Sequence, residues 1–223
     1  IFAILILAAV ISLILGMGLP TTANYIVMAS LTAPVILTLA ADNGFLVPAI
    51  AAHLFVFYFG ILADVTPPVG LAAYAAAGIA KADPIKTGIQ GFKYDIRTAI
   101  LPFMFFFNPE LLLISEIDAL NPGNPAGWVW INNPFEIAVI FCTAFIGMMA
   151  FSCFTQGYFI VKTNIVERLI FLVAVPFMFL PKIMENYLGL PDHNISYLIG
   201  ISIVVGIYFN QKVKQKTQAK TKA

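Results

Sequence analysis

Charge is scarce in this chain. Asp, Glu, Lys and Arg make up only 10% of its 223 residues, against about 25% in ordinary soluble domains. Residues 1–80 contain no Lys or Arg, and Asp42 and Asp64 are their only acids. A soluble globule is excluded, because 61% of the chain is of hydrophobic types and the mean hydropathy is +0.93. A body of this size cannot hide that much apolar surface from water, so lipid is its main solvent. The net charge of +1 gives no pointer to nucleic acid, and no such partner is expected.

Cysteine and histidine are equally sparse, at two each. Cys142 and Cys153 lie in or beside apolar segments with no metal-ligand spacing, which excludes a disulfide framework or a zinc site of familiar pattern. There is no His-Glu-x-x-His motif, no P-loop and no Gly-x-Ser-x-Gly elbow. An enzyme is therefore not expected, nor an organic cofactor. Active transport by such a chain would draw on an ion gradient or on another subunit. The chain opens at Ile1 inside an apolar run, without an initiator Met or a basic n-region. That pattern does not suit a signal peptide, and it suggests the C-terminal piece of a longer polypeptide.

What is abundant is apolar sequence of spanning length. About 20 apolar residues cross the hydrocarbon core as a helix. The fold class expected is all-α integral membrane, with broken transmembrane helices, a probable re-entrant hairpin and about four ordinary transmembrane helices. The ordinary spans are expected near 98–115, 135–151, 166–184 and 195–209. Turn-formers separate them at Asn121 to Pro125 and at Leu190 to Asn194, and Trp128 and Trp130 suit an interfacial belt. Residues 212–223 read as a basic, disordered tail.

Cations set the sidedness. Lys81, Lys86, Lys93 and Arg97 flank one connection, Lys162 and Arg168 another, and Lys212, Lys214, Lys216, Lys220 and Lys222 fill the tail. With the expected crossings all three groups fall on one side, taken to be the cytoplasm.

Residues 1–80 do not read as plain spans. Residues 1–41 read as two half-helices interrupted at Gly16-Met17-Gly18-Leu19-Pro20, either a re-entrant hairpin or a broken crossing, and residues 45–80 as a broken helix interrupted from Ala63 to Gly70. A continuous helix over 45–80 would be about 54 Å long, too long for one upright crossing. Irregular backbone survives in a membrane only when protein buries it or it lines a wet cavity.

At the first break, Gly16 and Gly18 permit positive φ and close approach, and Pro20 withholds a donor. Thr21, Thr22 and Asn24 add side-chain oxygens where a new helix starts, and Thr is a good N-cap. Freed carbonyls and hydroxyls suit a small hard cation such as Na⁺, while the helix start suits a carboxylate. The second break holds Asp64, Thr66, Pro67, Pro68 and Gly70. An ionisable group at membrane depth marks function by default, so Asp64 is expected to hold a cation or to orient the break by accepting N–H bonds. The Ala-rich run from Ala72 to Gly78 suits close helix packing. His53 lies about 16 Å along the helix from Asp64. Its expected role is a polar contact to a neighbouring helix, with a proton relay through His53 and Asp64 as the alternative.

Two stretches carry a family likeness. Gly16 to Pro34 (GMGLPTTANYIVMASLTAP) and Ala63 to Ala80 (ADVTPPVGLAAYAAAGIA) resemble the large membrane subunit of tripartite ATP-independent periplasmic (TRAP) transporters, most of all the fused permeases. The likeness covers roughly residues 1–115, and residues 116–211 resemble the additional C-terminal membrane region of some fused permeases. The resemblance implies a multi-pass permease of a bacterial or archaeal inner membrane that works by symport. It would import a small organic acid on a sodium gradient, receiving it from a periplasmic substrate-binding protein and working with the N-terminal part of the permease. It further implies two inverted repeats with elevator-like displacement, this chain holding the second repeat. Na⁺ would then be the coupling ion, held by backbone and hydroxyl groups of Gly16, Gly18, Thr21 and Thr66. Many relatives have an acidic residue near the first Thr; Leu19 and Pro20 stand there here, which places more weight on carbonyls. The rival from another class is a non-transporting membrane scaffold assembled through the Ala/Gly surface.

Overall fold

A computed structural model describes residues 1–45, 47–117 and 128–222. They divide into two compact units, Ile1–Trp130 and Ile131–Ala223.

The first unit is built around the two interruptions. Helix α1, Phe2–Gly16, stops where the Met17 and Gly18 N–H groups turn back to the Leu13 and Leu15 carbonyls. Pro20, extended at φ −56° and ψ 147°, then starts α2, Thr21–Asp42. Helix α3, Ala49–Ala63, follows Pro48 and ends before the second interruption, from which α4, Leu71–Ala80, emerges. Asp83 caps α5, Pro84–Asp95, its Oδ1 accepting from the N–H groups of Ile85 at 2.9 Å and Lys86 at 3.1 Å.

Helix α3 is the axis of the unit, packed against α1 and α2. Leu5, Met28, Ile36, Phe55 and Val56 are fully buried among these three helices. Phe55 stacks edge-on against Phe103 at 5.2 Å and tilts over Phe59 at 5.0 Å, so aromatic area anchors α3 to the segment that follows α5. The Ala-rich helix α4 packs on α5 as its small residues suggest: Ala77 is buried, and a Cβ on Gly91 would lie 3.8 Å from Ala73.

The span expected at 98–115 is not one helix. It divides into a 3-10 turn at Thr98–Ile100, a short α6 at Leu101–Phe107, a second 3-10 turn at Pro109–Leu112 and a strand, β1, at Ile114–Ile117. Asn108 at φ −133° breaks the helix immediately before Pro109, as the residue before a proline is pushed out of the helical region. Strand β1 pairs antiparallel with β2, Trp128–Trp130, a small exception to the all-α expectation that keeps 128–130 with the first unit. Trp130 is exposed. Glu110, whose place near the end of an apolar segment suggests a snorkelling side chain, is buried. The expected turn at Asn121 to Pro125 lies outside the described residues.

The second unit is mainly helical, with an isolated antiparallel bridge between Tyr158 and Lys162. Asn133 Oδ1 accepts from the Phe135 N–H at 3.1 Å to start α7, Pro134–Gln156, which ends at Gly157 with φ +68°. The expected span 166–184 is broken: α8, Ile165–Phe179, stops at Leu180, and α9, Pro181–Leu188, begins anew. Pro181 has no N–H to carry the helical ladder forward. Helix α10 runs over His193–Lys222. The expected ending near 209 and the disordered tail at 212–223 are therefore replaced by helix as far as Lys222. Lys, Gln and Ala are strong helix formers, and long-range contacts described below hold this segment.

Among the described residues, three helices are long and apolar enough to cross a membrane: Thr21–Asp42, Pro134–Gln156 and His193–Thr217. With the shorter apolar helices around them they make this an all-α membrane protein.

Candidate functional site

The two interruptions face one open cleft of about 520 Å³. Its lining is Gly16, Met17, Gly18, Leu19, Pro20 and Thr21 from the first break and Asp64, Val69, Leu71 and Ala72 around the second. Four of the residues expected from sequence, Gly16, Gly18, Thr21 and Asp64, thus meet at one place.

Helix ends dominate the electrostatics of the cleft. Thr21 opens α2, and Leu71 and Ala72 open α4. Neither start has a side-chain cap: their cap positions are Pro20 and Gly70, not the threonines. The first helical hydrogen bonds come from Asn24 N to Pro20 O and from Tyr74 N to Gly70 O, each 2.9 Å. The N–H groups of Thr21, Thr22 and Ala23, and of Leu71, Ala72 and Ala73, therefore have no acceptor within their own helices. Two positive helix ends at one cleft suit an anion such as a carboxylate. The same cleft is lined by the carbonyl end of α1, at Gly16 and Met17, and by Asp64, the C-cap residue of α3. The Asp64 carboxylate is half-buried and takes no hydrogen bond from any described residue. It does not orient the break through N–H bonds, so its charge is available to the cleft.

The other expected residues serve the site from outside its lining. Asn24 is fully buried behind the first break, with Nδ2 3.4 Å from the Ser12 carbonyl and Oδ1 without a partner among the described residues. Thr22 is exposed. Thr66 donates its hydroxyl to Leu62 O at 2.7 Å, which ties the second break to α3. Pro67 and Pro68, joined by a cis peptide bond, lead to Gly70, whose φ of +39° starts α4. Tyr74 Oη donates to Pro68 O at 2.8 Å and holds that link against α4.

The glycines act differently from expectation at the first break. Gly16 and Gly18 do not take positive φ; Gly70 does. Gly16 instead permits contact. A Cβ there would overlap the Ala63 methyl and lie 2.6 Å from Asn24 Nδ2, and one on Gly60 would lie 3.1 Å from the same nitrogen. The Asn24 amide is thus wedged between two helices that only glycine lets close. His53 makes the interhelical contact expected of it: Nδ1 lies 3.2 Å from Tyr25 Oη on α2.

Several residues escaped the sequence reading. Met17, Leu19, Val69, Leu71 and Ala72 line the cleft simply as neighbours of the breaks. Ser12 and Gly60 had a signal, since each is the lone residue of its kind in an apolar helix, α1 and α3 respectively.

The second unit carries a separate polar clamp. Glu167, buried, accepts from Lys214 Nζ at 2.6 Å, from Gln211 Nε2 at 3.1 Å and from the Asn164 N–H at 3.0 Å. Gln211, fully buried, accepts at Oε1 from the N–H groups of Ile160 and Val161. Arg168 donates to the Phe154 and Thr155 carbonyls at the end of α7. Arg168 and Lys214 therefore lie at the same end of this unit.

A helical membrane body whose interrupted helices open on a shared cleft is the layout of broken-helix secondary transporters. A narrower assignment follows from comparison with known families. The model of the tripartite ATP-independent periplasmic transporter, DctM component, matches residues 2–120, and that of a domain of unknown function (DUF3394) matches residues 137–197. The chain belongs to the DctM family: it is a multi-pass membrane permease component of a TRAP transporter, a family of transporters and not of enzymes. No curated protein and no solved structure matches it.

Proposed function

We propose that this permease imports a small organic acid, delivered by a periplasmic substrate-binding protein, on a sodium gradient across a bacterial or archaeal inner membrane, with its C-terminal end in the cytoplasm. One observation carries the reading: the cleft joins two uncapped helix starts to two carbonyl-rich helix ends and an unpaired carboxylate. The helix starts meet the acid's carboxylate. Na⁺ binds opposite, through backbone carbonyls of Gly16 and Gly18, the hydroxyls of Thr21 and Thr66, and the charge of Asp64. Thr66 spends its proton on Leu62 O and keeps its lone pairs for a cation. Helices α1 and α2, packed together on α3, act as the hairpin whose tip, residues 17–20, closes over the passenger.

The test is uptake of radiolabelled small carboxylates by proteoliposomes holding the permease and its binding protein, with and without an inward sodium gradient. Asp64→Ala is expected to abolish sodium-driven uptake while membrane insertion stays normal. Undiminished sodium-driven uptake by that variant removes Asp64 from the mechanism. Uptake that ignores sodium and follows the pH gradient overturns sodium coupling.

A further inference from the structure

The basic end of the second unit is not used by the cleft chemistry, and the clamp accounts for only part of it. Glu167 neutralises Lys214, and Arg168 is spent on main-chain carbonyls. Lys162, Lys212 and Lys216 remain, all exposed, and none pairs with a carboxylate among the described residues. Glu167 is the only acid between residues 153 and 217 apart from Glu185 and Asp192 near the other end of the helices.

The fold brings the chain at Lys162 close to the chain at Lys212. The Val161 N–H bonds Gln211 Oε1 at 3.1 Å, and the next residues along the two segments are Lys162 and Lys212. Phe159 meets Tyr208 at 6.3 Å just inside that contact. Lys212 lies 5.4 Å over the Tyr208 ring and donates to its hydroxyl at 3.3 Å. Lys216 follows Lys212 one helical turn later, where like charges repel and an anion relieves the repulsion.

Immediately beside the lysines the surface turns apolar. Ile165 is 75% exposed and Leu169 54%, and in a membrane protein such side chains face acyl tails. An aromatic and lysine rim above an acyl-facing strip has the chemistry of a phospholipid boundary. We propose that Lys162, Lys212 and Lys216 form a binding site for the phosphodiester headgroup of an anionic phospholipid, whose acyl chains lie along Ile165 and Leu169. This assignment is independent of the transport reading.

Native mass spectrometry of the full chain in neutral detergent tests it, with dioleoyl-phosphatidylglycerol, dioleoyl-phosphatidylcholine and inorganic phosphate as separate probes. The anionic lipid is expected to stay bound selectively. The combined variant K162Q/K212Q/K216Q is expected to lose on the order of a hundredfold in apparent affinity, at about fivefold per lysine. Should the triple variant not insert, K162Q alone, in an exposed turn, is expected to show the fivefold loss. Equal retention of the neutral lipid, undiminished retention by the variants, or displacement of the lipid by inorganic phosphate overturns the proposal.

Discussion

The Asn24 carboxamide sits so close to Gly16 that a single added methyl would lie 2.6 Å from its nitrogen and overlap the Ala63 side chain as well. This contact, more than any backbone torsion, explains the glycine at the edge of the first break. Gly16→Ala must push α1 away from α2 and α3, and overpacking of this kind costs about 1–3 kcal/mol. A lowered melting temperature in detergent is expected. Adding Asn24→Ala should restore part of it only, because the Ala63 overlap persists.

Ser12 makes the opposite case. Its hydroxyl is buried without a partner among the described residues, and replacing an unsatisfied polar group by an apolar one of similar shape is close to neutral or stabilising. Ser12→Ala should leave the melting temperature unchanged or raise it. A drop of several degrees would show that the hydroxyl is held by something bound between α1 and α2.

The Tyr25–His53 contact separates a structural histidine from a proton carrier. Interhelical hydrogen bonds in membranes average about 0.6 kcal/mol, so Tyr25→Phe should cost little stability. His53→Gln, which keeps a polar partner for Tyr25, should retain sodium-driven uptake in proteoliposomes. Loss of uptake with normal insertion would instead put His53 on a proton path.

The buried Glu167 clamp carries a stability prediction. Removing one partner of a buried ion pair typically costs about 3–5 kcal/mol, because the other charge is left unpaired. The 35% exposure of the Lys214 side chain moves the expected cost of Lys214→Ala toward the lower end or below it. Lys212→Ala, whose contacts are the exposed Tyr208 ring and hydroxyl, should change stability by less than about 0.5 kcal/mol. Chemical denaturation of the two variants side by side checks the contrast.

The two breaks were legible in sequence because glycine and proline clusters interrupt otherwise uniform apolar runs, and the structure puts helix ends at Gly16 and Thr21 and at Ala63 and Leu71. Segments judged by apolarity alone fared worse. Residues 98–115 and 166–184 are apolar enough to span, yet Pro109 and Pro181 each restart the chain, and a mean hydropathy does not register a missing N–H. The helical end of α10 was illegible for another reason. Gln211 and Lys214 are held by Glu167, 44 and 47 residues away in the chain, so no local window contains the cause. At the site, types of residue were readable but division of labour was not. The Asn24 carboxamide is packed between two helices at a glycine contact, and the Thr66 hydroxyl fastens the second break to α3, arrangements that residue type alone does not disclose.

The donors at the mouths of α2 and α4 belong to the peptide backbone, so no side-chain replacement can delete them. Alanine scanning across the cleft would leave these groups in place and report many silent positions at the very spot where we propose that recognition is concentrated. Probing them calls for amide-to-ester exchange at Thr22 or Ala72, which removes one N–H while keeping every side chain. On the proposed reading, the surrounding side chains could change to suit another passenger while the capacity to hold a negative charge stays fixed in the architecture.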